Sequence, residues 1–177
     1  VQRRVPLILY SSYIYFEQTN IIPSLLPEGV AGFTEFLKGR VALPLSNSLP
    51  EFERVLHHEL VHVFMFDRIS QVMHRRGLYE HRAAPLWFSE GLAEYCEAAP
   101  RWRLRGHPWL AQVAADARLG RAVRLEALEA KSRAEALVDA DYRAAWAWIH
   151  FLLNGPAEAR DEFRRYCAAW DVYDARR

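Results

Sequence analysis

Ser48 to Asp67 reads SLPEFERVLHHELVHVFMFD, and the punctuation of this stretch decides the fold. Ser48 and Glu51 stand at capping-box spacing, and Pro50 falls in the first turn, where a missing N–H breaks no helical bond. From there Phe52, Val55, Leu56, Leu60, Val63 and Phe64 recur at helical period to about Asp67. The sequence therefore predicts a long amphipathic helix, with His57, His58, Glu59 and His62 inside it.

Working outward toward the N-terminus, Val5 to Ser12 (VPLILYSS) is an apolar run suited to a pleated surface, and Ile14 to Phe16 extends it, so a strand leads the domain. Asn20 to Gly29, with Pro23, Pro27 and Gly29, reads as loop. Val30 to Thr34 and Arg40 to Leu45 then flank Lys38 and Gly39 as a hairpin whose glycine supplies a positive φ. Pro44 has no N–H for a ladder, which predicts an edge position for the second of these strands. Toward the C-terminus, a polar, basic connection from Arg68 to Ala84 leads to Pro85, which opens a second helix running to about Ala98. Further helices are expected over Pro108 to Leu119, Leu125 to Ala130, Asp141 to Asn154 and Pro156 to about Trp170. Strands early and helices late predict an α+β fold, with a small mixed or antiparallel N-terminal sheet followed by a mainly helical part. Residues 1–47 form the strand-rich part, 48–98 carry the two central helices, and 99–177 form a helical C-terminal part of one domain.

The chain has 177 residues, 51% hydrophobic and 25% charged, which suits one sizeable core. Its 23 Lys+Arg against 22 Asp+Glu leave a net charge of +1 and no basic excess for a nucleic-acid surface. The cluster Arg101, Trp102, Arg103 and Arg105 is read as a solvated loop or partner contact, and Trp146, Trp148, Phe151 and Leu152 as a buried helix face. No apolar run reaches the roughly 20 residues of a membrane helix. Two cysteines, Cys96 and Cys167, are too few for a disulfide framework, and their pairing is left open. Because Val1 is not an initiator Met, the chain is expected to be a segment of a longer protein, extracytoplasmic if a signal segment has been removed.

The chemistry lies in H-E-x-x-H at His58, Glu59 and His62. Positions four apart share a helix face, so both imidazoles converge on one ion while Glu59 reaches a water beside it. His57 lacks this geometry, since its fourth neighbour is Val61. A chance match in a chain with seven His is on the order of a few per cent, and the predicted helix strengthens the signal. No third histidine follows at metzincin spacing, where Phe66, Asp67 and Arg68 stand instead. Two imidazoles and a carboxylate suit a catalytic Zn2+, and Pro85 to Tyr95 (PLWFSEGLAEY) offers Glu90 and Glu94 on one helical face. Glu90 is assigned as the third ligand and Glu94 as the acceptor of a hydrogen bond from a liganding His, most simply His58. The competing account is a surface helix with two solvated glutamates. Gly91 and Ala93 are small enough to admit another helix closely.

The combination of HELVH with LWFSEGLAEY resembles the gluzincin zinc metallopeptidases, in particular the bacterial peptidase MA-like proteins. The resemblance implies a zincin-like domain in which His58, His62 and Glu90 bind zinc and Glu59 is the general base. By likeness to the zinc aminopeptidases it also implies Tyr142, in DYRAAW, as an oxyanion donor, although Ala145 and Arg143 depart from their pattern and an ordinary Tyr packed on Trp146 fits as well. His150 is a second, weaker choice. The expected activity is hydrolysis of peptide bonds in a peptide or protein substrate by metal-activated water, with the Arg40 to Leu45 edge pairing the substrate backbone. The alternative is a metal-binding, catalytically weak interaction module of a multidomain envelope protein. Glu59 favours the enzyme, because a purely structural zinc gains nothing from a base beside it.

Overall fold

The computed structural model describes residues 4–19, 31–35, 39–46, 48–75, 84–98, 107–132 and 137–171. In chain order its elements are β1 (Leu7–Tyr10), α1 (Tyr13–Thr19), β2 (Phe33–Glu35), β3 (Arg40–Pro44), α2 (Leu49–Arg75), α3 (Leu86–Glu97), α4 (Trp109–Arg118), α5 (Leu125–Glu129), α6 (Asp139–Asn154) and α7 (Ala157–Asp171). This is the expected α+β arrangement, with a small mixed sheet ahead of a helical body. No helix among the described residues is long and apolar enough to cross a membrane.

The expected strand over Ile14 to Phe16 is instead α1. Ser12 ends β1 and starts the helix: its hydroxyl accepts the Tyr15 N–H at 3.2 Å and its carbonyl the Phe16 N–H at 3.0 Å. Phe16 is thereby turned inward, 1% exposed, with its ring against Tyr10 and Phe33. The Asn20 to Gly29 loop lies outside the described residues.

The hairpin of β2 and β3 forms, and Gly39 supplies its turn at φ 59°. Its place in the sheet differs from expectation, because the strand order is β1-β3-β2 and β3 is central. Val41 and Leu45 donate their N–H groups to Pro6 and Tyr10, so alternate residues of β3 face the parallel neighbour β1. Ala42 and Pro44 then face β2, whose pairing ends with Phe33 opposite Ala42. Pro44 therefore sits beyond β2, where its missing N–H has no partner to lose. Among the described residues the edges are β1 and β2.

α2 begins as predicted, with the Ser48 hydroxyl accepting the Glu51 N–H at 3.4 Å and its carbonyl the Phe52 N–H at 3.0 Å. It then continues eight residues beyond Asp67, because no Gly or Pro interrupts the chain before Gly77. Part of the expected connection is thus helix, while residues 76–83 lie outside the described residues, as does the 101–105 cluster. Phe64, expected in the core, is 63% exposed.

Two cores meet at α2. Val41, Leu43 and Val63 form one, packed by Phe52, Val55, Leu56 and Leu60. The other gathers Trp87, Phe88, Tyr95, Leu128, Trp146, Ile149 and Phe163 from α3, α5, α6 and α7, with Met65 of α2 against it. Of the aromatic residues expected in the α6 core, Trp146 is buried, while Phe151 is 45% exposed and lines an open cavity with Trp148. Cys96 and Cys167 form no disulfide with each other.

α3 sits between α2 and α6, and Gly91 makes that possible: a Cβ there would lie 2.6 Å from the Ala145 carbonyl oxygen. A methyl group cannot fit against that backbone without separating the helices. Gly91→Ala is expected to destabilise the fold by about 1–3 kcal/mol, read as a lower urea midpoint. An unchanged midpoint would rule out this close contact.

Candidate metal centre

The i and i+4 spacing on α2 sets the His58 and His62 rings 4.8 Å apart, and α3 brings Glu90 between them. One carboxylate oxygen of Glu90 lies 3.4 Å from His58 Nε2 and the other 3.6 Å from His62 Nε2. These separations are long for hydrogen bonds. Each is close to the separation of about 3.3–3.4 Å between two donor atoms bound at about 2.0–2.1 Å to one tetrahedral ion, with a different oxygen of the carboxylate nearest each imidazole. His58, His62 and Glu90 thus form a group able to hold a metal ion. His57 is exposed and apart from them.

The other ring nitrogens are held from behind. His58 Nδ1 lies 2.8 Å from Glu97 Oε1, and His62 Nδ1 lies 3.0 Å from Ser89 Oγ. An ionised carboxylate only accepts, so His58 Nδ1 donates to Glu97, and Nε2 is the nitrogen turned toward Glu90. The expected hydrogen bond from His58 to Glu94 is not formed, because the Glu94 oxygen stands 4.0 Å from Nδ1. Glu97, one helical turn later, makes that bond, and Arg54 pairs with its second oxygen at 2.6 Å. Glu97 and Ser89 were not singled out in the sequence. Ser89 adjoins Glu90, and Glu97 continues the Glu90, Glu94 face, which is the signal that marks them. Glu94 instead lines a cavity of about 440 Å³ together with Tyr142 and Arg143.

Electrostatics agrees with a cation-seeking cluster. Burial opposes charge on His58, but the facing Glu90 carboxylate, the hydrogen bond to Glu97 and the charge of Glu59 outweigh it and hold the imidazole up at about 10. Burial pushes His62 down to about 4, with His58 adding repulsion and Glu90 opposing. Glu90 stays below its ordinary value despite burial because both histidines face it. Glu59, 7% exposed, is raised by burial, an effect that His58 and the Thr34 hydroxyl partly offset.

Tyr142 stands at the start of α6, which Asp141 anchors by accepting the Val138 N–H at 2.8 Å and pairing with Lys131. Burial, then the charges of Glu90 and Glu94, push its hydroxyl up to about 12, so it stays protonated at neutral pH, and Tyr142 lines the cavity that Glu94 also lines. His150 stacks on Trp146, with centroids 5.1 Å apart, in the α6 core. The chain matches no family model, no curated protein and no solved structure.

Removing the His58 support by Glu97→Ala is expected to weaken zinc binding about 10- to 100-fold in a chelator competition, while Glu94→Ala changes it less than about threefold. The reverse order would return the supporting role to Glu94.

In chelated protein, proton linkage sets the direction of stability with pH. His58 binds its proton more tightly when folded, so its contribution is complete below about pH 6.5 and is lost as pH rises through about 10. Glu94, pushed up to about 7 first by burial and then by Glu97, acts in the same direction at lower pH; His62 opposes it only between about 4 and 6.5. The metal-free melting temperature is expected to fall from pH 7 to pH 10 by circular dichroism. A rise over that range would contradict the arrangement around His58.

Proposed function

We propose that this chain is a zinc-dependent peptidase in which His58, His62 and Glu90 hold the ion and Glu59 is the general base. The observation that carries the reading is the pair of 3.4 and 3.6 Å separations between one carboxylate and two imidazole Nε2 atoms, with Glu59 next to His58 on the same helix. Zinc in that donor set supplies Lewis acidity, lowering the pKa of water and polarising a carbonyl. This donor set is that of the gluzincin, peptidase MA-like proteins that the sequence resembles, and the proposal extends that resemblance to a zincin-like domain.

Each further role belongs to a side chain. Glu59 accepts a proton from the water attacking the peptide carbonyl carbon and passes it to the leaving amine nitrogen. Its burial suits this work, since a raised pKa brings a carboxylate closer to the operating pH. Tyr142 donates its hydroxyl to the developing oxyanion. Glu97 and Ser89 keep the two imidazoles turned toward Glu90.

The central position of β3 removes it as a docking edge, and β2 takes over that role. Val41 sends its N–H to β1, so Thr34 opposite it forms a non-hydrogen-bonded pair, with its own N–H and C=O turned away from β3, to the side of the sheet that carries no further strand among the described residues. An extended substrate pairs there by main-chain hydrogen bonds, beside Glu59.

Glu59→Gln is expected to retain one zinc per chain while lowering hydrolysis of a peptide library about 10²- to 10⁴-fold. Tyr142→Phe is expected to lower kcat about 10- to 100-fold with little change in zinc content. Stoichiometric zinc without cleavage of any library member would replace the peptidase by the metal-binding interaction module. No bound zinc, or Glu59→Gln as active as the parent, would end both the ligand assignment and the mechanism.

A further inference from the structure

The geometry points to Thr34 of β2 as the positioning residue for the Glu59 carboxylate. Its hydroxyl lies 2.8 Å from Glu59 Oε2 and 3.0 Å from the Glu59 carbonyl oxygen, although 25 residues separate the two in sequence. Among the described residues no other side chain hydrogen-bonds this carboxylate. The inference rests on Glu59 acting as the base and deepens that reading by naming what aims it.

A glutamate has three side-chain torsions, and a general base works only when its oxygen is held within hydrogen-bond reach of the proton it takes. Helix packing fixes where the Glu59 side chain leaves α2, but not the rotation of its carboxylate. Thr34 supplies that constraint from a stiff platform. It is β-branched, so its own χ1 is restricted, and it is paired in register with Val41, which is fully buried in the central strand. One hydroxyl proton directed at Oε2 engages that oxygen and leaves Oε1 to meet water. The Glu59 carbonyl, as the alternative acceptor, keeps the hydroxyl on this side of the helix. Thr34 also carries the outward-turned N–H and C=O of the β2 edge, so the residue that would register a substrate backbone is the one that aims the base.

The test compares Thr34→Val, which keeps shape and branching but loses the hydroxyl, with Thr34→Ser, which keeps the hydroxyl. Thr34→Val is expected to lower kcat about 10- to 100-fold, with KM, zinc affinity and melting temperature close to the parent. Thr34→Ser is expected to restore kcat to within about threefold, and Thr34→Val combined with Glu59→Gln to be no slower than Glu59→Gln alone. Unchanged kcat in Thr34→Val, or equal losses of kcat and stability in both the Val and Ser variants, would overturn the assignment. Crystal structures of the parent and Thr34→Val give a readout independent of activity. The Glu59 carboxylate is expected to move by more than about 0.5 Å in the variant, and a carboxylate that stays in place would sink the inference. Should the parent cleave nothing, the functional reading fails while the crystal comparison still decides the role of Thr34.

Discussion

The close approach of α3 to α6 at Gly91 is the constraint on which the arrangement depends. Glu90 precedes Gly91 in the same turn, so the contact that seats the glycine against the Ala145 carbonyl also fixes where the carboxylate leaves the helix. A wider gap would shift Glu90 relative to both imidazoles, whose 3.4 and 3.6 Å spacings leave little tolerance. Ser89 and Glu97 ride on the same helix, so one packing contact sets a carboxylate and both of the groups that orient the histidines.

α2 carries a complementary burden. One face packs on the sheet through Val55 and Val63 and the other meets α3 through the histidines, so a single rigid helix belongs to both cores. Glu59 lies between these faces, next to His58 and bonded to β2. The Glu59 carboxylate is therefore referenced to the sheet, and Glu90 to the helical body, with α2 transmitting any displacement between them.

Much of this was legible in the sequence because it depends on local spacing. Ser48, Pro50 and Glu51 announce the start of α2, four-residue spacing converges His58 and His62, and Pro85 and Gly155 bound the helices they flank. What stayed hidden depends on tertiary geometry. Ser12 marks a helix start only once Phe16 has a pocket to enter, and Pro44 suggests an edge until the order β1-β3-β2 puts its nitrogen beyond the end of β2. Glu94 and Glu97 lie on the same side of α3, and only the relative rotation of two helices decides which one His58 meets. Thr34 carries no signal of its own, since its partner is 25 residues away.

The pairing of Arg54 with Glu97 has a consequence for the solvent's influence on the interior. Arg54 is about half exposed, whereas Glu97 and His58 are nearly covered, so a surface charge reaches a buried imidazole through one shared carboxylate. Dissolved ions compete for the exposed guanidinium, with a screening length near 8 Å at physiological ionic strength. Weakening the outer pair leaves Glu97 wholly to His58 and strengthens its pull on the Nδ1 proton. Ionic strength thereby acts on the charge of a buried imidazole through a residue that stands at the surface.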